Sequence, residues 1–65
     1  MEHIELQDLT QLELKELKFC VESLGFYTAE ELKFIYDNLY RGNDGLVYYY
    51  IVDKDNKMLT ALYVD

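Results

Sequence analysis

A six-residue pattern that occurs twice constrains this chain more than anything else in it. Leu9-Thr10-Gln11-Leu12-Glu13-Leu14 and Tyr27-Thr28-Ala29-Glu30-Glu31-Leu32 both read apolar residue, threonine, two residues, glutamate, leucine. In each, the threonine hydroxyl can accept from a free N–H of a first helical turn, and the glutamate can reach back to the threonine's own N–H, which makes a capping box. Leu9 with Leu14, and Tyr27 with Leu32, stand at the positions of a hydrophobic staple across each helix start. The pattern predicts one helix over 10–24 and a second over 28–41, with Gly25 and Gly42 placed where a left-handed residue would end each. The 18-residue spacing is too short for a solenoid unit, so this is one capping chemistry used twice.

At 100° per residue the first helix gathers Leu14, Leu17, Val21 and Leu24 into one stripe with Cys20 beside it, and the second gathers Leu32, Ile35, Tyr36 and Leu39. Only Phe26 and Tyr27 stand between Gly25 and Thr28, so the helices are expected to form a short antiparallel hairpin facing a third layer. Past the turn-rich Arg41-Gly42-Asn43-Asp44-Gly45, the run Leu46-Val47-Tyr48-Tyr49-Tyr50-Ile51-Val52 is β-branched and aromatic throughout and reads as a strand. Met58 to Val64 reads as its partner, giving a β-hairpin over 46–64 turned at Asp53-Lys54-Asp55-Asn56-Lys57. Either a two-residue loop at Asp55-Asn56 or a four-residue loop gives the same register, which pairs Val52 with Leu59, Tyr50 with Ala61 and Tyr48 with Tyr63.

The expected class is α+β, a helix hairpin packed on a C-terminal antiparallel hairpin (ααββ). Glu2 to Gln7 alternate, with Ile4 and Leu6 apolar and Glu5 and Gln7 polar, and residues 1–8 are open between a third strand (βααββ), an arm and an extension of the first helix. Both faces of the hairpin are apolar, and helices on one side leave the other uncovered. A two-stranded hairpin is marginal without a further strand or packed layer.

Sixty-five residues make one small domain, and 51% hydrophobic residues with 15% aromatics are too many for a disordered acidic tail. Thirteen acidic residues against six basic ones give a net charge of −7, which disfavours direct phosphate or nucleic-acid binding. No basic segment precedes a long apolar run, so neither a leader nor a membrane span is expected and the cytoplasm is the default location. Cys20 is the only cysteine and has no partner for an intramolecular disulfide or a zinc site.

Catalytic chemistry has little to stand on, and no enzyme activity, cofactor or metal is expected. His3, the only histidine, lies in a terminal segment, and Cys20 sits on an apolar arc with no basic neighbour to favour a thiolate. Asp53 and Asp55 resemble the opening of a calcium loop, but counting from Asp53 the sixth and twelfth positions hold Met58 and Val64 where glycine and glutamate are needed. Turn formation accounts for these residues.

Aromatic residues set among acids carry the functional reading. Glu30, Phe34, Asp37 and Arg41 line one row of the second helix, and Leu12, Glu16, Phe19 and Ser23 a comparable row of the first. Each ring is open between packing under the hairpin and serving as an exposed anchor. Tyr48-Tyr49-Tyr50 cannot all enter one small core, because consecutive strand residues alternate faces. The expected partner-binding residues are Glu30, Phe34, Asp37, Tyr49 and Phe19, rings supplying affinity and carboxylates steering encounter. In size, acidity and lack of catalytic residues the chain resembles the accessory proteins of phages and mobile elements that inhibit host enzymes, anti-CRISPRs among them. The likeness is of composition and carries no motif. It implies an acidic module that occupies a surface of a larger protein, such as a basic nucleic-acid-binding surface, in a host cytoplasm. The alternative is a homodimer paired through its exposed sheet face.

Overall fold

The computed structural model describes residues 1–64. Its elements are β1 (Glu2–Ile4), a 3-10 turn (Leu6–Asp8), α1 (Gln11–Glu22), α2 (Ala29–Asp37), β2 (Leu39–Arg41), β3 (Val47–Asp53) and β4 (Asn56–Ala61). All four strands form one antiparallel sheet in the order β1-β2-β3-β4, an α+β fold.

Both capping boxes form. Thr10 Oγ1 accepts from Glu13 N at 3.1 Å while Glu13 Oε1 accepts from Thr10 N at 2.9 Å. Thr28 and Glu31 repeat the exchange at 3.2 and 2.8 Å. Gly25 follows α1 with φ of +68°, the left-handed conformation that glycine adopts without strain.

The second helix is shorter than its pattern predicts, ending at Asp37 rather than 41. Asn38 closes it: its side-chain amide donates to Phe34 O at 2.8 Å and its N–H to Ile35 O at 3.2 Å. Leu39 then leaves the helix but not the core, being fully buried opposite Ile4 in the sheet. The extended form lets Leu39 pair with Ile4 and lets Tyr40 and Arg41 pair on both sides, Tyr40 with His3 and Tyr48 and Arg41 with Glu2 and Val47, which outweighs one further helical turn. Residues 2–4 are therefore a strand, and β2 is an additional one between it and the hairpin. Gly42 is not a left-handed helix stop; it stands in the β2–β3 turn, its N–H bonded to Leu46 O at 3.0 Å.

The hairpin pairs Tyr48 with Ala61, Tyr50 with Leu59 and Val52 with Lys57, two residues from the expected register. Its loop is Lys54-Asp55, with Lys54 at φ +54°, and Tyr63 and Val64 lie beyond β4. A shift of two keeps every side chain on its face.

Among the described residues seven form the core: Ile4, Leu17, Val21, Ile35, Leu39, Val47 and Leu62. Leu17 and Val21 bring α1 onto the face that carries Ile4, Leu39 and Val47, whereas Leu24, past the helix end, is exposed. β3 outruns β2, which pairs only as far as Tyr48. Against the edge left unpaired lies α2, with Ile35 turned into the core, Tyr36 donating to Glu22 of α1 at 2.5 Å, and Phe34 over Tyr50 on the far side. One ion pair ties the layers together: Arg41 Nη1 and Nη2 reach Glu13 Oε2 and Oε1 at 3.0 and 3.1 Å, and Nη1 also donates to Gly45 O at 2.9 Å.

Candidate functional site

The sheet face opposite α1 is built from alternate residues of every strand: His3, Tyr40, Tyr48, Tyr50, Val52, Lys57, Leu59 and Ala61. Among the described residues no helix lies flat on it; α2 borders it through Phe34 and the Asp37 carbonyl, and its tyrosines are half-exposed because they cover one another. A row of contacts crosses the face. Lys57 Nζ stands 4.4 Å from the centre of the Phe34 ring, Phe34 packs on Tyr50 at 5.5 Å, Tyr50 on Tyr40 at 6.5 Å, and Tyr40 on His3 at 5.6 Å. Successive rings are inclined by 51°, 80° and 77°.

Carboxylates rim this face. Asp44 Oδ2 accepts from Tyr48 Oη at 2.5 Å, and this bond holds the Asp44 carboxyl below the usual carboxylate range and pushes the Tyr48 phenol up. Glu5 lies 4.0 Å from His3 Nδ1, while His3 Nε2 bonds the backbone carbonyl of Asp37 at 3.0 Å. Glu30 stands exposed one turn before Phe34, and the Asp37 side chain pairs with Lys33 at 2.6 Å. Tyr63 lies beside Tyr48 and is largely exposed.

Of the residues expected to bind a partner, Glu30, Phe34 and Asp37 come together at one corner of this face. Phe34 is half-buried and supported from below by Tyr50, so it is part of the row rather than a free-standing anchor. Tyr49 is on the opposite face, half-buried beside the Cys20 thiol and near Tyr27, and burial together with the Cys20 contact pushes its phenol up to about 12. Phe19 is 68% exposed, on the solvent side of α1 and apart from the others. Tyr40 and His3 were not among the expected binding residues. Tyr40 falls within the helix that the capping pattern predicts over 28–41, and what marks it is the short aromatic-basic run before Gly42, equally readable as a strand.

Among the described residues no group of His, Cys, Asp and Glu could hold a metal ion, and no helix is long and apolar enough to cross a membrane. Comparison with protein-family models, curated proteins and solved structures finds no match to this chain.

Proposed function

We propose that this chain is an acidic protein-binding module whose tyrosine-lined sheet face covers a basic surface on a larger protein. The observation that carries this reading is the aromatic row from His3 to Phe34, left without a covering helix and rimmed by Glu5, Glu30, Asp37 and Asp44. Tyrosine supplies contact area at low entropic cost and a hydroxyl for the rim of an interface. A net charge of −7 steers approach to a cationic partner and makes the association sensitive to salt. Binding of this kind acts by steric and electrostatic competition: a partner surface that recognises nucleic acid is occupied by carboxylates and rings instead. An inhibitor or modulator of a host protein, of the sort carried by phages and mobile elements, works in this way. Pairing of the face with its own copy would set the same carboxylates against each other, which favours a foreign, basic partner.

The test is affinity capture from cell lysate with the wild-type chain and with Tyr50→Ser as baits, the fold of each checked by circular dichroism. The expected partner is basic, is released by heparin and by about 0.5 M salt, and is lost from the Tyr50→Ser bait. A partner that binds both baits equally and ignores heparin would overturn the reading.

A further inference from the structure

We propose that the free edge of β4 joins two copies of this chain, strand to strand, into one continuous sheet; this stands independently of the tyrosine face. Leu62 N bonds Val47 O at 2.7 Å, so by antiparallel alternation the backbone groups of Asn56, Met58 and Thr60 point into the hairpin. Those of Lys57, Leu59 and Ala61 point outward from the last strand of the sheet. Such a row is a ready template for another strand.

Edge strands are commonly guarded by short length, a bulge, proline or an outward lysine. At the opposite edge, β1 has three residues and runs at once into a 3-10 turn. β4 has six residues, no proline and a continuous register from Asn56 to Ala61. Its one lysine, Lys57, is folded back with Nζ over the Phe34 ring and does not guard the edge. Beside it, near the hairpin turn, Ile51 and Met58 are exposed and, with Asp53, Asn56 and Lys57, line an open groove of about 490 Å³.

Charge and register select a second copy as the occupant. Between Asn56 and Val64 the only charged side chain is Lys57, so this is where two chains of net charge −7 can approach without bringing carboxylates together. A two-fold axis at Leu59 sets Leu59 against its equivalent, Lys57 against Ala61 and Met58 against Thr60. No like charges then face each other, and the outward N–H and C=O groups of Lys57, Leu59 and Ala61 are all paired. The symmetric interface is closed, so it yields a dimer rather than a filament. It also sets the two tyrosine faces side by side on one surface.

Sedimentation equilibrium from about 1 to 500 µM measures the association directly across the range where weak dimers dissociate. The comparison is a synthetic chain carrying N-methyl-Leu59, which removes one outward donor from each copy and no bond within the hairpin. Wild type is expected to dimerise, and N-methylation to raise the dissociation constant by about tenfold or more. Hydrogen exchange provides the second readout: the Leu59 and Ala61 amides should slow with rising concentration, while those of Met58 and Thr60 are slow throughout. A chain that stays monomeric over the whole range, or a dimer indifferent to N-methylation with Leu59 and Ala61 exchanging freely, would overturn the proposal.

Discussion

Replacing Gly42 with alanine tests how the β2–β3 turn is built. The added Cβ would lie 2.6 Å from Cε2 of Tyr48 and 2.7 Å from Oδ1 of Asp44, whereas carbon atoms in comfortable contact stand about 3.5–4.0 Å apart. The ring would have to withdraw by about 1 Å to restore such contact. It is not free to do so, because its hydroxyl is bonded to Asp44 Oδ2 at 2.5 Å and Asp44 Oδ1 is held by Leu46 N at 3.0 Å. Overpacking of this kind costs about 1–3 kcal/mol. Gly42 is not left-handed, so the substitution also restricts the unfolded chain, offsetting about 0.4–1 kcal/mol. The net expectation is a loss of about 1–2 kcal/mol in urea denaturation followed by far-ultraviolet circular dichroism. A double-mutant cycle with Tyr48→Ala isolates the cause. If the ring is the obstacle, the cost of Gly42→Ala shrinks in the Tyr48→Ala background, with a coupling of at least about 0.5 kcal/mol. If Gly42 instead served to end a helix, its replacement would cost the same in both backgrounds, and that result would refute the reasoning.

Three further expectations follow from the same geometry. Thr10→Ala and Thr28→Ala each remove a formed cap and should each cost about 0.5–2 kcal/mol in thermal melts; an unchanged midpoint in either would mean that its capping box contributes nothing. Arg41 holds the Glu13 carboxyl below the usual carboxylate range, so the stability it provides is present at neutral pH and lost as pH falls below about 4.3. Glu13→Gln should therefore lower the midpoint at pH about 7 by more than at pH about 3, and an equal drop at both would show that the ion pair does not contribute. Phe19→Ala should change stability by no more than about 0.5 kcal/mol, while Phe34→Ala, losing the Tyr50 contact and the cover under Lys57, should cost about 2 kcal/mol; a reversed order in chemical denaturation would place the two rings wrongly.

What could be read from the residues alone was chiefly what local chemistry decides. The helix starts at Thr10 and Thr28 depend on groups three residues apart, and these formed as the pattern required. The end of α2 depends on long-range competition. Leu39 lies four residues after Ile35 and continues the helical stripe, yet it also fits a strand opposite Ile4, a residue far away in sequence. Side-chain pattern is the same in both cases, and only the pairing of Tyr40 with His3 and Tyr48 separates them. The hairpin loop departs from its expected place for a related reason. Asp55-Asn56 carries better turn chemistry than Lys54-Asp55, but the sheet accepts a left-handed Lys54 to set the buried Val47 opposite the buried Leu62. Of the aromatic candidates, Phe34 and Tyr49 sit on opposite faces because one belongs to a helix at the sheet edge and the other to the strand it flanks. No spacing rule within either element reports that relation.

The position of β1 has a consequence for the order in which the chain assembles. β2, β3 and β4 are consecutive in sequence and joined by short turns, so they can pair after closing only small loops. β1 instead meets β2 across the whole helical segment between them, and closing that larger loop carries the greater entropic cost. The three C-terminal strands and the helices can thus collect around Ile35, Leu39 and Val47 first, with Ile4 entering last as a stopper over a cavity already formed. The same ordering makes the N-terminal strand the first to detach in native-state fluctuations, opening one side of the core while the rest of the sheet holds.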